Sequence, residues 1–266
     1  MSTHSHKMKA DPSLTVDDFI ASSIIRFGGL DNYIQEKLMV DYFAIEGNLG
    51  IARGIRMYIR NQQSRFEEMD QIKILDVGPA IGALTAMLIV QELAEIGLGE
   101  KAKIILLDVS ERVLEKTQNR KFQFPESIID PKYKSLINQK IRTSKAIVGS
   151  AHEIDLKDNS VDIATAGFLF HHLHDDIKPP AADEMQRVVK PGGFIGIAEE
   201  WFDSYADYAA IHKHDEIPLA YESIISYRKL RKMFPDIEIF EAHNPIKVGK
   251  TENDTYYYFC GIKKTD

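Results

Sequence analysis

The chain has 266 residues, 44% hydrophobic and 27% charged, which suits a globular protein with one large α/β domain and an appendage. A net charge of −7 argues against a broad electrostatic footprint for nucleic acid, and the basic run Arg228, Lys229, Arg231 and Lys232 reads as a solvated helix face. The single cysteine, Cys260, excludes an intrachain disulfide. With no apolar run of the roughly 20 residues that cross a membrane and no leader pattern near Met1, a cytoplasmic location away from membranes is expected.

Residues up to about Asp11 read as a polar tail. From Val16 to about Phe66 apolar residues recur at helical spacing: Phe19, Ile20, Ile24 and Ile25, then Tyr33, Leu38, Tyr42 and Phe43, then Ile51, Ile55 and Tyr58. Gly28–Gly29 and the Gly47–Gly50 region punctuate this stretch. It precedes the first strand, so residues 1–66 are expected to form a tail and a helical cap outside the main domain. Lys73–Val77 then reads as a buried strand, followed by a helix over 83–96 that ends at Gly97 and Gly99. A second strand, Lys103–Val109, leads into a helix capped by Ser110. Phe122–Arg142 contains Pro125 and Pro131 and reads as an insertion with a helix near Ser135–Lys140. Strands follow at Lys145–Val148 and Val161–Ala166. After a helix over Ala182–Val189, Pro191, Gly192 and Gly193 turn the chain into a fifth strand, Phe194–Ala198. A helical insertion over about 200–234 precedes the last strands, Ile237–Ala242 and Tyr256–Ile262. This alternation predicts an α/β domain over 67–266, a doubly wound, mostly parallel seven-stranded sheet covered on both faces.

The most informative stretch is KILDVGPAIGALT, Lys73–Thr85. A strand ends on Asp76, a small-residue turn follows through Gly78, Pro79 and Ala80, and Gly82 opens a helix. Such a turn lets a ligand approach the backbone, and the helix start offers unpaired N–H groups. The pattern D-x-G-x-x-x-G lacks the G-x-G-x-x-G spacing of the dinucleotide fingerprint. A carboxylate before the turn would repel a pyrophosphate and would suit ammonium or hydroxyl donors, which favours S-adenosylmethionine over NAD. In an open parallel sheet, ligands bind beyond the carboxyl ends of the strands. Asp76 and Gly78, Asp108, Ser150 and Ala151, and Gly167 all fall at such ends. Asp108 is placed to accept two hydrogen bonds from a ribose diol, or to cap the next helix.

Four motifs in order resemble those of the class I S-adenosylmethionine-dependent methyltransferases: KILDVGPAIGALT, IILLDVSERVLEK (104–116), GSAHEIDLKDNSVDIATAGFLFHHL (149–173) and RVVKPGGFIGIAE (187–199). The resemblance covers about 73–193 and implies a Rossmann-like fold with S-adenosylmethionine as cofactor. It sets Asp76 and Gly78 by the methionyl part, with Ala80 and Gly82 also among the cofactor-binding residues, Asp108 on the ribose and Val109 beside the adenine. Ser150 and Ala151 would serve the adenine edge, and Gly167 would line the methionine pocket. The chain departs from the pattern twice. Ala80 replaces the central glycine and Ser150 the usual aspartate, so cofactor binding is expected to persist in weakened form.

By the same resemblance His171 falls near the base of some O-methyltransferases, since an imidazole can take a hydroxyl proton near neutral pH. The downstream set Glu199, Glu200, His212, His214 and Asp215, with His171 and His174, contains metal-binding residue types. No metal is expected, because His212 and His214 are two apart and point to different sides of a helix. Aromatic residues in the two helical segments, among them Tyr33, Tyr42, Trp201 and Tyr205, are candidates to line an acceptor site with His171 and Glu199. The expected activity is methyl transfer to a small organic acceptor, at oxygen or nitrogen more than carbon. Three other readings stay open. The chain could use a non-methyl carbon of the cofactor and release methylthioadenosine, bind the cofactor without turnover, or act as an NAD-dependent oxidoreductase.

Overall fold

A computed structural model describes residues 42–79, 83–119, 126–201, 225–247 and 255–265. Helices α1 (Tyr42–Asn61) and α2 (Gln63–Glu68) lead into β1 (Ile72–Val77). Then come α3 (Leu84–Glu95), β2 (Ala102–Asp108), α4 (Glu111–Asn119), α5 (Lys134–Arg142), β3 (Lys145–Val148) and β4 (Val161–Gly167). A short 3-10 turn, Phe170–His172, precedes α6 (Lys178–Val188), β5 (Val189–Trp201), α7 (Tyr227–Lys232), β6 (Ile237–Lys247) and β7 (Thr255–Lys263). The strands form one seven-stranded sheet in the order β3-β2-β1-β4-β5-β7-β6. The first five are parallel, and β7 inserts antiparallel between β5 and β6. The chain winds outward from β1 to β3, then restarts at β4 on the other side of β1. This reversal opens a crevice between the ends of β1 and β4.

The pleat sorts the core into two layers. Ile72, Ile74, Ile104, Leu106, Ile163, Tyr258 and Cys260 face α1, α3, α4 and α5. Leu75, Val77, Ile105, Leu107, Ala164, Ile197, Tyr257 and Phe259 face α6 and α7. Successive strand residues point to opposite faces, which is why these strands read as continuous apolar runs.

Helix α1 is one of the covering layers of the sheet. Ile51, Ile55, Tyr58 and Ile59 are fully buried in the same core as β1 and α3. The expected break at Gly47–Gly50 lies inside this helix. Gly47, Gly50 and Gly54 fall on one face, three and four residues apart. A Cβ on Gly54 would lie 2.5 Å from Cys260 Sγ, one on Gly50 would collide with the Tyr258 ring, and one on Gly47 would lie 2.7 Å from Phe168 Cζ. Gly50 and Gly54 let the helix axis lie close on β7, and Gly47 lets it approach Phe168 and Ala198.

Other boundaries shift for local reasons. Helix α6 starts earlier than its sequence suggests because prolines are tolerated in a first turn, where their missing N–H has no partner to lose. The Pro191–Gly193 turn is a bulge inside β5: the register jumps between Val161↔Val189 and Ile163↔Phe194, and Gly192 takes φ +72. Gly97 closes α3 at φ +79, as its position at the end of a helical run predicts. Of the expected insertion over about 200–234, residues 202–224 lie outside the described set, and α7 with its basic run is the described helical part. Among the described residues no helix is long and apolar enough to cross a membrane.

Candidate functional site

The strand ends at the crevice gather most of the described site residues. Gly78 follows β1 at φ +63 and donates its N–H to Leu107 O at 2.8 Å, so the turn folds back against β2. Such a backbone favours glycine, and a Cβ there would lie 2.6 Å from Leu169 Cδ1. Asp108 ends β2. Its Oδ1 accepts the Ser110 N–H at 2.9 Å, while Ser110 caps α4 through the Val113 N–H. Burial pushes the Asp108 carboxyl up to about 6, against the hydrogen bonds from Ser110 and Val109. The next side chain, Val109, is an apolar group left 45% exposed at the lip of the sheet. A carboxylate acceptor beside an exposed apolar side chain fits a ribose diol and a flat base.

Asp76 points elsewhere. It shares the face of Ile72 and Ile74, so the pleat sends its carboxylate into the layer under α3. There Oδ1 accepts the Thr165 hydroxyl at 3.0 Å and Oδ2 the Ala86 N–H at 3.3 Å. It is 1% exposed, and burial pushes its carboxyl up to about 7. Asp76 thus ties β1 to β4 and to the first turn of α3. Ser150 is engaged locally, its Oγ 2.6 Å from His152 Nδ1. Ala151 is buried beside it. Ala80 and Gly82 lie outside the described residues, as do Tyr33, Tyr205, His212, His214 and Asp215. Tyr42 opens α1 and Trp201 closes β5, but their side chains are likewise outside that set.

On the β4 side Gly167 is crowded. Asn48 of α1 and Thr85 of α3 meet there, with the Thr85 hydroxyl donating to Asn48 Oδ1 at 2.5 Å. A Cβ on Gly167 would collide with Asn48 Oδ1 and lie 3.0 Å from Thr85 Oγ1. Phe168 follows at φ +58, and Ala83 enters α3 at φ +45. A bulky residue in this region is a true outlier. Both lie at the crevice, and strain of this kind concentrates at ligand sites. Asn159, the other non-glycine residue with positive φ, is of a type that tolerates it.

Beyond Phe168 the chain turns through Phe170–His172 and brings His171 onto β5. His171 Nδ1 lies 2.7 Å from Glu199 Oε2, and its Nε2 lies 3.4 Å from Glu200 Oε1. Glu199 is fully buried, and its other oxygen accepts the Phe170 N–H at 2.5 Å. The His171 and His172 rings are 3.9 Å apart. Lys178 anchors the far end of this turn. Its ammonium, 1% exposed, donates to Leu173 O and to Asp175 Oδ1, both at 2.7 Å. Burial lowers its pKa, while the Asp175 and Glu199 carboxylates oppose that shift. The structure thus joins His171 and Glu199, which the sequence names separately. It adds Lys178, held by the nearby Leu173 and Asp175, and Thr165, Asn48 and Thr85, whose roles depend on partners far along the chain. Among the described residues no group of three or more His, Cys, Asp or Glu is arranged to hold a metal.

A family model described as a methyltransferase domain matches residues 75–197, from β1 to the end of the β4–β5 pair. An uncharacterized methyltransferase of Schizosaccharomyces pombe is 29% identical over 145 residues, 54% of this chain and 45% of that protein. The chain therefore spans less than half the length of that relative. A solved S-adenosylmethionine-dependent methyltransferase from Thermotoga maritima superposes with a TM-score of 0.52 at 16% identity, covering 91% of this chain and 100% of the other. The cyclase SpnF superposes with a TM-score of 0.52 at 14% identity, over 81% and 82% of the two chains. At such identities the likeness is one of fold.

Proposed function

We propose that the chain is a class I S-adenosylmethionine-dependent methyltransferase and carries the methyl group of that cofactor to a small organic acceptor, at oxygen or nitrogen; the methyltransferase-domain match over 75–197 and the related methyltransferase support this reading. The observation that carries this reading is the pairing at the crevice of a nucleoside-type lip with a buried histidine. Gly78, Asp108 and Val109 form the lip, and His171 stands beyond β4. Asp108 would accept from the ribose hydroxyls and Val109 would flank the base. The Gly78 turn would leave room for the chain that links them to the sulfur. Ala151 would meet the edge of the base and Gly167 the amino-acid end.

When bound, the cofactor supplies an electrophilic methyl on a sulfonium. Transfer would join the acceptor heteroatom to that methyl carbon as its carbon–sulfur bond breaks and the electron pair returns to sulfur. The acceptor's proton passes to His171. Alignment of the reacting atoms with water excluded provides most of the acceleration, and proton removal adds about 10²–10⁴-fold where the acceptor is protonated. Incubation with methyl-labelled cofactor and a panel of phenols, amines and carboxylic acids tests the reading by mass spectrometry. Methyl transfer predicts labelled acceptor with S-adenosylhomocysteine. Methylthioadenosine as product, or no product beside tight binding, contradicts it.

A further inference from the structure

We propose that the acceptor taken by this site is an amine, docked as its ammonium on the Glu200 carboxylate at the carboxyl end of β5. The proposal rests on the methyl-transfer reading only for calling this ligand the acceptor. Its basis is charge. Glu199 and Glu200 are adjacent on β5, and both are buried. His171 lies against both, with Nδ1 2.7 Å from Glu199 Oε2 and Nε2 3.4 Å from Glu200 Oε1. An imidazole carries at most one positive charge. Whatever its protonation, two carboxylates and one ring leave at least one negative charge over. Among the described residues no lysine or arginine pairs with either glutamate. Lys178, which feels the Glu199 charge, is matched by Asp175, to which it donates at 2.7 Å. A buried charge without a counter-charge is costly, and a cationic ligand would supply what is missing.

The two carboxylates differ in reach. Alternation along β5 sends them to opposite faces. Glu199 shares the face of Ile197, and its side chain is fully buried, with one oxygen on the Phe170 N–H and the other beside His171. Glu200 shares the face of Ala198, the side covered by α1, and keeps a side chain 10% exposed. Among the described residues its carboxylate has no polar contact besides His171, and a carboxylate offers about four acceptor positions. Glu200 is thus the one an incoming group can reach. It stands at the crevice: Phe168, just past β4, donates its N–H to Ala198 O at 2.7 Å, which holds the ends of β4 and β5 together two residues before Glu200. An ammonium brings one positive charge and three N–H donors to such a place. A carboxylic acid would add a like charge to it, and an alcohol brings no charge.

The test measures binding by calorimetry to protein saturated with S-adenosylhomocysteine. The probes are matched in shape: benzylamine, benzyl alcohol and benzoate, with butylamine, butanol and butanoate as an aliphatic set. Each amine is expected to bind about tenfold or more tighter than its alcohol, the margin of a hydrogen bond to a charged group over a neutral one, and the acids are expected not to bind. Glu200→Gln keeps the shape and removes the charge. There the preference for the amine should vanish while S-adenosylhomocysteine binds as before. Amines that bind the wild type no tighter than their alcohols, or do not bind it, overturn the proposal, and this arm needs no variant to fold. An undiminished preference in Glu200→Gln overturns it too. Amines bound in preference but never methylated would count against methyl transfer alone. Label carried to the alcohols or acids and not to the amines would refute the proposal and leave methyl transfer standing.

Discussion

Asp76 and Asp108 leave neighbouring strands two residues apart in register, yet their environments separate them. Asp76 is consumed by Thr165 and Ala86 inside the helix layer, while Asp108 keeps acceptor capacity at the lip. The burial of Asp76 has a measurable consequence. Its folded pKa, about 7, stands above the ordinary 3.8. The native state therefore binds the extra proton between those values, and stability declines as pH rises through that window. The full cost of the ionised form is on the order of 4 kcal/mol. Asp76→Asn keeps an acceptor for Ala86 and lets Thr165 turn to receive the amide NH₂, so the variant should lose this pH dependence. Urea unfolding is expected to find it more stable than wild type at pH 8, with the gain vanishing near pH 4. A variant less stable than wild type at pH 8 would contradict the assignment. The sequence resemblance sets Asp76 beside the cofactor; parity puts it on the face of Ile72 and Ile74 but, with both faces of the sheet covered, does not say what lies over that face. What parity did not reveal was Thr165 waiting across the strand pair, since that needs the register of β1 with β4.

At the scale of elements, α1 shows a local preference overruled by a distant surface. Glycine costs about 1 kcal/mol in a helix interior; α1 holds three, and the Gly47–Gly50 region reads as a break. The 47, 50, 54 spacing nonetheless marks one helical face, which packs on Tyr258 and Cys260 of β7 and, at Gly47, on Phe168 and Ala198. Gly54→Ala should therefore destabilise the fold despite the better helix former. Overpacking against Cys260 is expected to cost about 1–3 kcal/mol. The check is a lowered denaturation midpoint with an unchanged slope. A stabilised Gly54→Ala would mean that α1 rides higher on the sheet than described. The K-P-G-G bulge of β5 follows the same logic. Sequence placed a turn there correctly, but only pairing with β4 decides whether the strand stops or continues through it. His171 and Glu199 were both visible as chemistry-bearing residues. Their contact was not, because it depends on the parallel alignment of β4 and β5.

For the molecule as a whole, the strand order puts the β1/β4 reversal, the Gly78 turn, Asp108 and the His171 turn on one edge of one sheet. The motifs made that edge legible, since strand ends can be read from where apolar runs stop. The helical segments are where legibility ends, as their contacts with the site are fixed by packing and not by spacing. All functional steps depend on a nucleoside cofactor settling at this edge with Asp108 on its sugar. The direct measurement is calorimetric titration of S-adenosylhomocysteine into the protein across pH. Burial holds the Asp108 carboxyl near 6, and a diol favours its ionised form. Saturable one-to-one binding is therefore predicted above that pH, weakening as pH falls through about 6 and largely lost in Asp108→Ala. Absence of any binding heat at neutral pH, or an affinity indifferent to Asp108→Ala, would contradict the account.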